Sequence, residues 1–213
     1  MKKFLILMGC LAIFLCGCGG NVKPTPSPTP TVTTIAESEI HQTPVIIPTG
    51  PYDNPYAPLG VKTKFTLTDA QQKLFNAYSK DFNFDISIFK GVAPIDVAQV
   101  FVECGLEGLW EGEYNLYYFD TRKVAKAQYK AESEQDTATN DIRTRRDQAD
   151  ITLSKLKDGK FVDEGNSSGY IEFDSYKLTA DYSGVVAIKQ RLHMKQVNDI
   201  WMIDQNRMFE EVS

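Results

Sequence analysis

Apolar positions along the second half of this chain recur first at helical spacing and then in alternation. Thr68-Asp69-Ala70-Gln71 reads as a capping box opening a helix, with Leu74, Phe75 and Tyr78 along one side. A second helix is predicted to begin at Pro94, since a first helical position has no N–H to leave unpaired. Val97, Phe101 and Cys104 follow at helical spacing, flanked by Val100 and Leu106. Gly105, Gly108 and Gly112 loosen the next turn before Tyr114, Leu116, Tyr117 and Tyr118. From Thr121 to Lys157 the chain is polar and helix-forming, with a break expected near Thr137 to Asn140. Ile142, Ala149, Leu153 and Leu156 fit a helix ending before Gly159 better than a strand, because alternation fails at Leu156.

Strands are predicted over Phe161 to Glu164, Tyr170 to Tyr176, Val185 to Val197 and Ile200 to Phe209. Asn198-Asp199 reads as a two-residue hairpin turn, since both residue types tolerate positive φ. That register sets Val197 opposite Ile200, His193 opposite Asp204 and Gln190 opposite Arg207. One face then collects Val186, Ile188, Leu192, Met194, Trp201, Ile203 and Phe209 as core. The other collects Lys189, Arg191, His193, Lys195, Asp204 and Asn206 and is expected to be largely wet. A bulge would break this register.

The N-terminus has a different pattern. Lys2-Lys3 precedes the apolar run Phe4 to Leu15, and Leu15-Cys16-Gly17-Cys18 follows, the layout of a secretion signal. The run is too short for a membrane span, which needs about 20 apolar residues. These last four residues resemble the lipobox of bacterial lipoproteins. The resemblance implies that residues 1–17 are removed and that Cys18 carries a diacylglycerol thioether. Two acyl chains are enough for stable anchoring, at about 0.8 kcal/mol per buried methylene. Cys10 and Cys16 leave with the signal, so Cys104 remains as the one free thiol and is read as buried and inert.

Nine of the ten prolines lie between Pro24 and Pro58. The stretch from lipidated Cys18 to residue 60 therefore reads as a disordered Pro/Thr-rich stalk, with about 3.1 Å of reach per extended residue. Within it Val45, Ile46, Ile47, Tyr52 and Tyr56 either strap onto the domain or stay solvated. Residues 61–213 are the size of one ordinary domain. Removing residues 1–17 takes away two lysines and no acid, moving the formal charge from −5 to −7. That balance argues against nucleic acid as a partner and against charge-driven binding to anionic lipid.

The order of elements carries a second resemblance. A short helix, then Phe89-Lys90-Gly91-Val92-Ala93-Pro94-Ile95-Asp96-Val97-Ala98, then Glu107-Gly108-Leu109-Trp110-Glu111-Gly112-Glu113-Tyr114, then helices and strands closing on Asp199-Ile200-Trp201-Met202-Ile203, resembles the nuclear transport factor 2-like (cystatin-like) domain. It implies an α+β fold with helices packed on a curved antiparallel sheet, a cone-shaped roll. That family includes enzymes as well as binding modules, so the fold does not choose the function.

Among candidate chemistry, His193 with Asp204 invites a general base, but the pair is placed on the wet face and reads as a surface contact. On the apolar face Gln190, Gln205 and Arg207 stand out. An inward guanidinium needs a partner. Either Glu103 or Glu107 supplies it, or Arg207 with Gln205, Gln190, Trp201 and Tyr117 or Tyr118 receives a small anionic or sugar-like ligand. No cofactor or metal is expected. The expected function is non-catalytic binding of a small ligand, cell-wall fragment or envelope protein at the outer face of a membrane, held there by the lipid. The alternatives are a cone-pocket isomerase or dehydratase and a structural interaction module.

Overall fold

The computed structural model describes residues 57–119, 124–179 and 183–212. Cys18 and the tether as far as residue 56, with Val45, Ile46, Ile47, Tyr52 and Tyr56, lie outside them, whereas the last residues of the stretch expected to be disordered form a single 3-10 turn, Ala57–Leu59. Among the described residues five α-helices pack with a six-stranded, mostly antiparallel sheet in an α+β arrangement. Helix α1 (Asp69–Ser79) opens on the expected capping box: the Thr68 hydroxyl accepts from the Gln71 N–H, and the Gln71 side chain accepts from the Thr68 N–H. Gln71 also donates to Asp96 at 2.8 Å, tying α1 to helix α2 (Pro94–Leu106). Pro94 starts α2, as its missing N–H favours. Helix α2 is buried almost all round, which its apolar sequence demands.

The tight turn after α2 leads into the short helix α3 (Trp110–Asn115). Gly112 lets α3 close on the N-terminal layer. A Cβ there would stand 2.8 Å from the Phe84 ring, and the Gly112 carbonyl accepts from the Tyr78 hydroxyl at 2.8 Å. Helices α4 (Lys126–Thr139) and α5 (Ile142–Thr152) follow. They break at Asn140, where the chain turns extended and Asp141 caps α5 through the Thr144 N–H. Helix α5 stops at Thr152, earlier than the apolar spacing suggests. Leu156 is reached through a separate single turn and is fully buried there.

The strands are β1 (Tyr117–Tyr118), β2 (Lys160–Gly165), β3 (Ser168–Leu178), β4 (Val185–Val197), β5 (Ile200–Asp204) and β6 (Phe209–Val212). Their order is β1-β5-β4-β3-β2, with β6 also paired to β4, and β1 runs parallel to β5. The β4–β5 turn is as predicted. Asn198 and Asp199 have φ of 51° and 64°, and the pairs run from Val197 with Ile200 to Met194 with Ile203. Beyond Met194 the expected single strand is interrupted. Asp204 turns the chain by accepting the Asn206 N–H on its side chain and the Arg207 N–H on its carbonyl. Strand β6 then rejoins β4 with Leu192 opposite Phe209, four residues out of the first register.

Four is even, so the faces survive the interruption. Leu192, Met194, Trp201 and Ile203 are buried on the helical side, with Ile171 and Phe173 of β3. Toward the far end of β4 this face runs out of cover, and Val186 is exposed. Helix α2 packs on β5, and α5 packs on β3. The segment before α1 closes the core from one side. Val61 and Phe65 are buried, and the Phe65 N–H donates to Asp150 at 2.7 Å.

Candidate functional site

The residues singled out from the sequence do not converge. Arg207 points outward with its side chain 59% exposed, and its carboxylate neighbour is Glu210 at 3.8 Å. The two glutamates expected to meet it are held by Arg146 of α5 instead, at 2.7 Å from Glu103 and 2.5 Å from Glu107. The register change explains the difference. Gln190 lies opposite Glu211 rather than Arg207. Gln205 sits in the turn, its N–H donating to the Tyr118 carbonyl. Trp201 is buried with its ring 4.8 Å from Phe161.

His193 also has a different partner from the one expected. Its Nε2 lies 2.8 Å from a carboxylate oxygen of Glu210, and its backbone N–H donates to the Met208 carbonyl. The hydrogen bond from His193 holds the Glu210 carboxyl below its usual range. The face is drier than expected, since His193 is only 3% exposed and Asp204 is buried too. The Tyr170 ring packs on the imidazole, and Arg191 stacks on Tyr170 while pairing with Glu172. This is a packed polar ladder on the sheet's second face.

Tyr117 alone among the candidates enters a polar cluster inside the protein. The Tyr129 hydroxyl of α4 lies between the Glu113 carboxyl of α3 and the Tyr117 hydroxyl of β1, bonded to both. Tyr117 donates onward to the Met208 sulfur at 3.4 Å. Phe101 and Tyr114 wall the cluster with ring contacts of 4.9 Å to Tyr117 and 5.4 Å to Tyr129. Glu113 is 2% exposed, and one of its carboxylate oxygens has no partner. Gly105 makes the space for it, because a Cβ there would stand 3.1 Å from the other oxygen.

Burial is what chiefly shifts the protonation of this cluster. It raises the Glu113 carboxyl to about 7; Asp136 adds to the rise, while the Tyr129 hydrogen bond and Arg145 oppose it. Tyr117 and Tyr129 are pushed well above the usual phenol range, first by burial and then by the Glu113 charge. Burial, then Glu113, does the same to the Cys104 thiol. Arg145 donates to the Gly105 carbonyl at 3.3 Å and to Thr137 at 3.4 Å, leaving its Nε without a partner. A carboxylic acid kept neutral to near pH 7 beside two phenols can donate a hydrogen bond or exchange a proton.

Glu113 was not visible as a site from the sequence. The one hint is its place between Gly112 and Tyr114, with Gly105 one helical stretch earlier. Among the described residues no group of three or more His, Cys, Asp or Glu side chains is arranged to hold a metal ion. A surface hollow of about 510 Å³ lies elsewhere, between the end of α1 and Asp85, lined by Tyr78, Asp81, Phe82 and Asn83. Compared with protein-family models, with curated proteins and with solved structures, the chain matches none.

Proposed function

We propose that this chain is a lipid-anchored extracytoplasmic protein whose α+β domain is a non-catalytic binding module, recognising a small ligand, a cell-wall fragment or an envelope protein. The observation that carries this reading is the run from Lys2 to Cys18, a charged start, a short apolar core and a small residue before cysteine, followed by a proline-rich tether. The domain is proposed to be a nuclear transport factor 2-like roll, and helices on an antiparallel sheet are compatible with that. The non-catalytic reading draws support from the chemistry. The one histidine after residue 57 is tied into a polar ladder, and the perturbed acid Glu113 is packed inside. Mass spectrometry of the protein extracted from membranes tests the anchor. A first peptide beginning at Cys18 with a diacylglycerol thioether is expected. An unmodified Cys18, or a start elsewhere, would overturn it.

A second reading, a cone-pocket isomerase or dehydratase, is favoured by one specific observation, the unpartnered Glu113 oxygen beside the Tyr129 and Tyr117 hydroxyls. A neutral acid with phenolic donors is suited to stabilising an enolate oxygen. NMR titration with 4-nitrophenol as a probe separates the two readings. Shifts centred on Glu113, Tyr117 and Tyr129 support the enzyme, and their absence supports the closed module.

A further inference from the structure

Helix α3 faces α4 with four of its five side chains. Glu111 pairs with Lys126, and Lys126 and Lys130 stand 5.7 and 5.6 Å from the centre of the Trp110 ring. The Tyr114 hydroxyl donates to the Val124 carbonyl at 2.9 Å, just before α4 begins. Glu113 meets Tyr129. Against these fastenings α4 has little apolar area of its own. Its sequence holds no aliphatic side chain larger than alanine, and its buried residues are Tyr129 and Ser133. An element held by polar contacts around one large buried side chain belongs to the easily opened part of a fold.

We propose that α4 is a pH-released lid: neutral Glu113 latches it over the tyrosine floor, and ionisation of Glu113 lets it open. The groups around that carboxyl are Cys104 on α2, Tyr117 on β1, Tyr129 and Asp136 on α4, and Arg145 on α5. Asp136 leaves with the lid and repels the ionised form. The Tyr129 hydrogen bond favours the ionised form and Arg145, already engaged with Gly105 and Thr137, offsets part of its charge, but burial outweighs both. The unpartnered Glu113 oxygen has no further donor to receive a full negative charge.

Closed, Glu113 holds its proton to about pH 7. Open, it meets water and returns toward the ordinary carboxyl range, so opening releases a proton between those limits. The open fraction then rises about tenfold per pH unit up to pH 7 and levels off above it. Lifting α4 uncovers Glu113, Tyr117 and Tyr129 together. This latch depends on neither the lipid anchor nor the family resemblance.

Amide hydrogen exchange on the full chain in detergent, from pH 5 to pH 8, is the test. Protection of 126–139, corrected for intrinsic exchange, should be lower than that of β4 at every pH. It should fall about fortyfold from pH 5 to pH 7 and then flatten. In Glu113→Gln, which stays neutral, the fall should vanish. Protection that ignores pH, an equal fall in Glu113→Gln, or equal protection in α4 and β4 would each overturn the lid. Should that variant fail to fold, carboxyl-carbon NMR on the wild-type chain decides. A Glu113 midpoint near 7 supports the latch, and one near 4.5 overturns it.

Discussion

Glu113 concentrates the residue-scale physics of this protein. Its carboxyl is lifted from an ordinary 4.5 to about 7, chiefly because burial penalises the charged form. A folded-state value above the unfolded one means that the folded protein binds more protons between those limits. The stabilisation is therefore whole below pH 4.5 and is lost as pH rises toward 7. Two to three pH units of linkage amount to about 3 kcal/mol. Urea unfolding from pH 4.5 to pH 8 should show stability declining to pH 7, and Glu113→Gln should flatten that part of the curve. An unchanged slope in the variant would mean that another group carries it. The local sequence gives only a faint hint of this residue, its place between Gly112 and Tyr114. The sequence reads here only as glycines loosening the turn before Tyr114, and the burial of Glu113 comes from α4, well beyond that turn, and from the space that Gly105 leaves. Arg207 misled for the same kind of reason. Its inward placement followed from parity along an assumed continuous strand, and a turn at Asp204 moved it out.

At the scale of elements, the legible features were those whose signals are local. The capping box at Thr68, the proline at the head of α2 and the Asn198-Asp199 turn each rest on backbone chemistry within four residues. Each gives a prediction where a side chain can be changed. Thr68→Ala removes the acceptor for the Gln71 N–H and should cost about 1 kcal/mol in thermal unfolding. Asp199→Gly relieves a side chain held at φ of 64° and should stabilise the hairpin by about 0.5 kcal/mol, the gain being trimmed by the greater freedom of glycine in the unfolded chain. A destabilised Asp199→Gly would mean that the Asp199 side chain does more than turn the chain; its carbonyl contact with the Gly91 N–H is backbone and would persist. The division between β5 and β6 was hidden because the interruption is even. Trp201, Ile203 and Phe209 keep the same parity across the four-residue excursion, so they read as one face of one strand. Only the polar run Asp204-Gln205-Asn206 hinted at a turn. The early end of α5 was hidden in the same way, since Leu153 and Leu156 keep helical spacing after the helix has stopped.

For the whole molecule, the proposed anchor would decide where every other property operates. The chain that would remain after residue 17 carries a formal −7, so charge would not hold it to an anionic bilayer. Among the described residues no helix is long and apolar enough to cross a membrane. Under the proposed reading attachment rests on fat at Cys18, and this yields a sharp expectation. Wild-type protein should stay with membranes through a high-salt wash, which screens charge, and leave only with detergent. Cys18→Ser lacks the sulfur that the thioether needs. In a lipoprotein pathway it should carry no lipid mass and should keep residues 1–17, because trimming there follows lipidation. An intact-mass measurement reads both features at once. A Cys18→Ser chain trimmed at the Gly17 bond and held to membranes as firmly as wild type would require another means of attachment, and would detach the binding reading from the envelope while leaving the α4 latch where it stands.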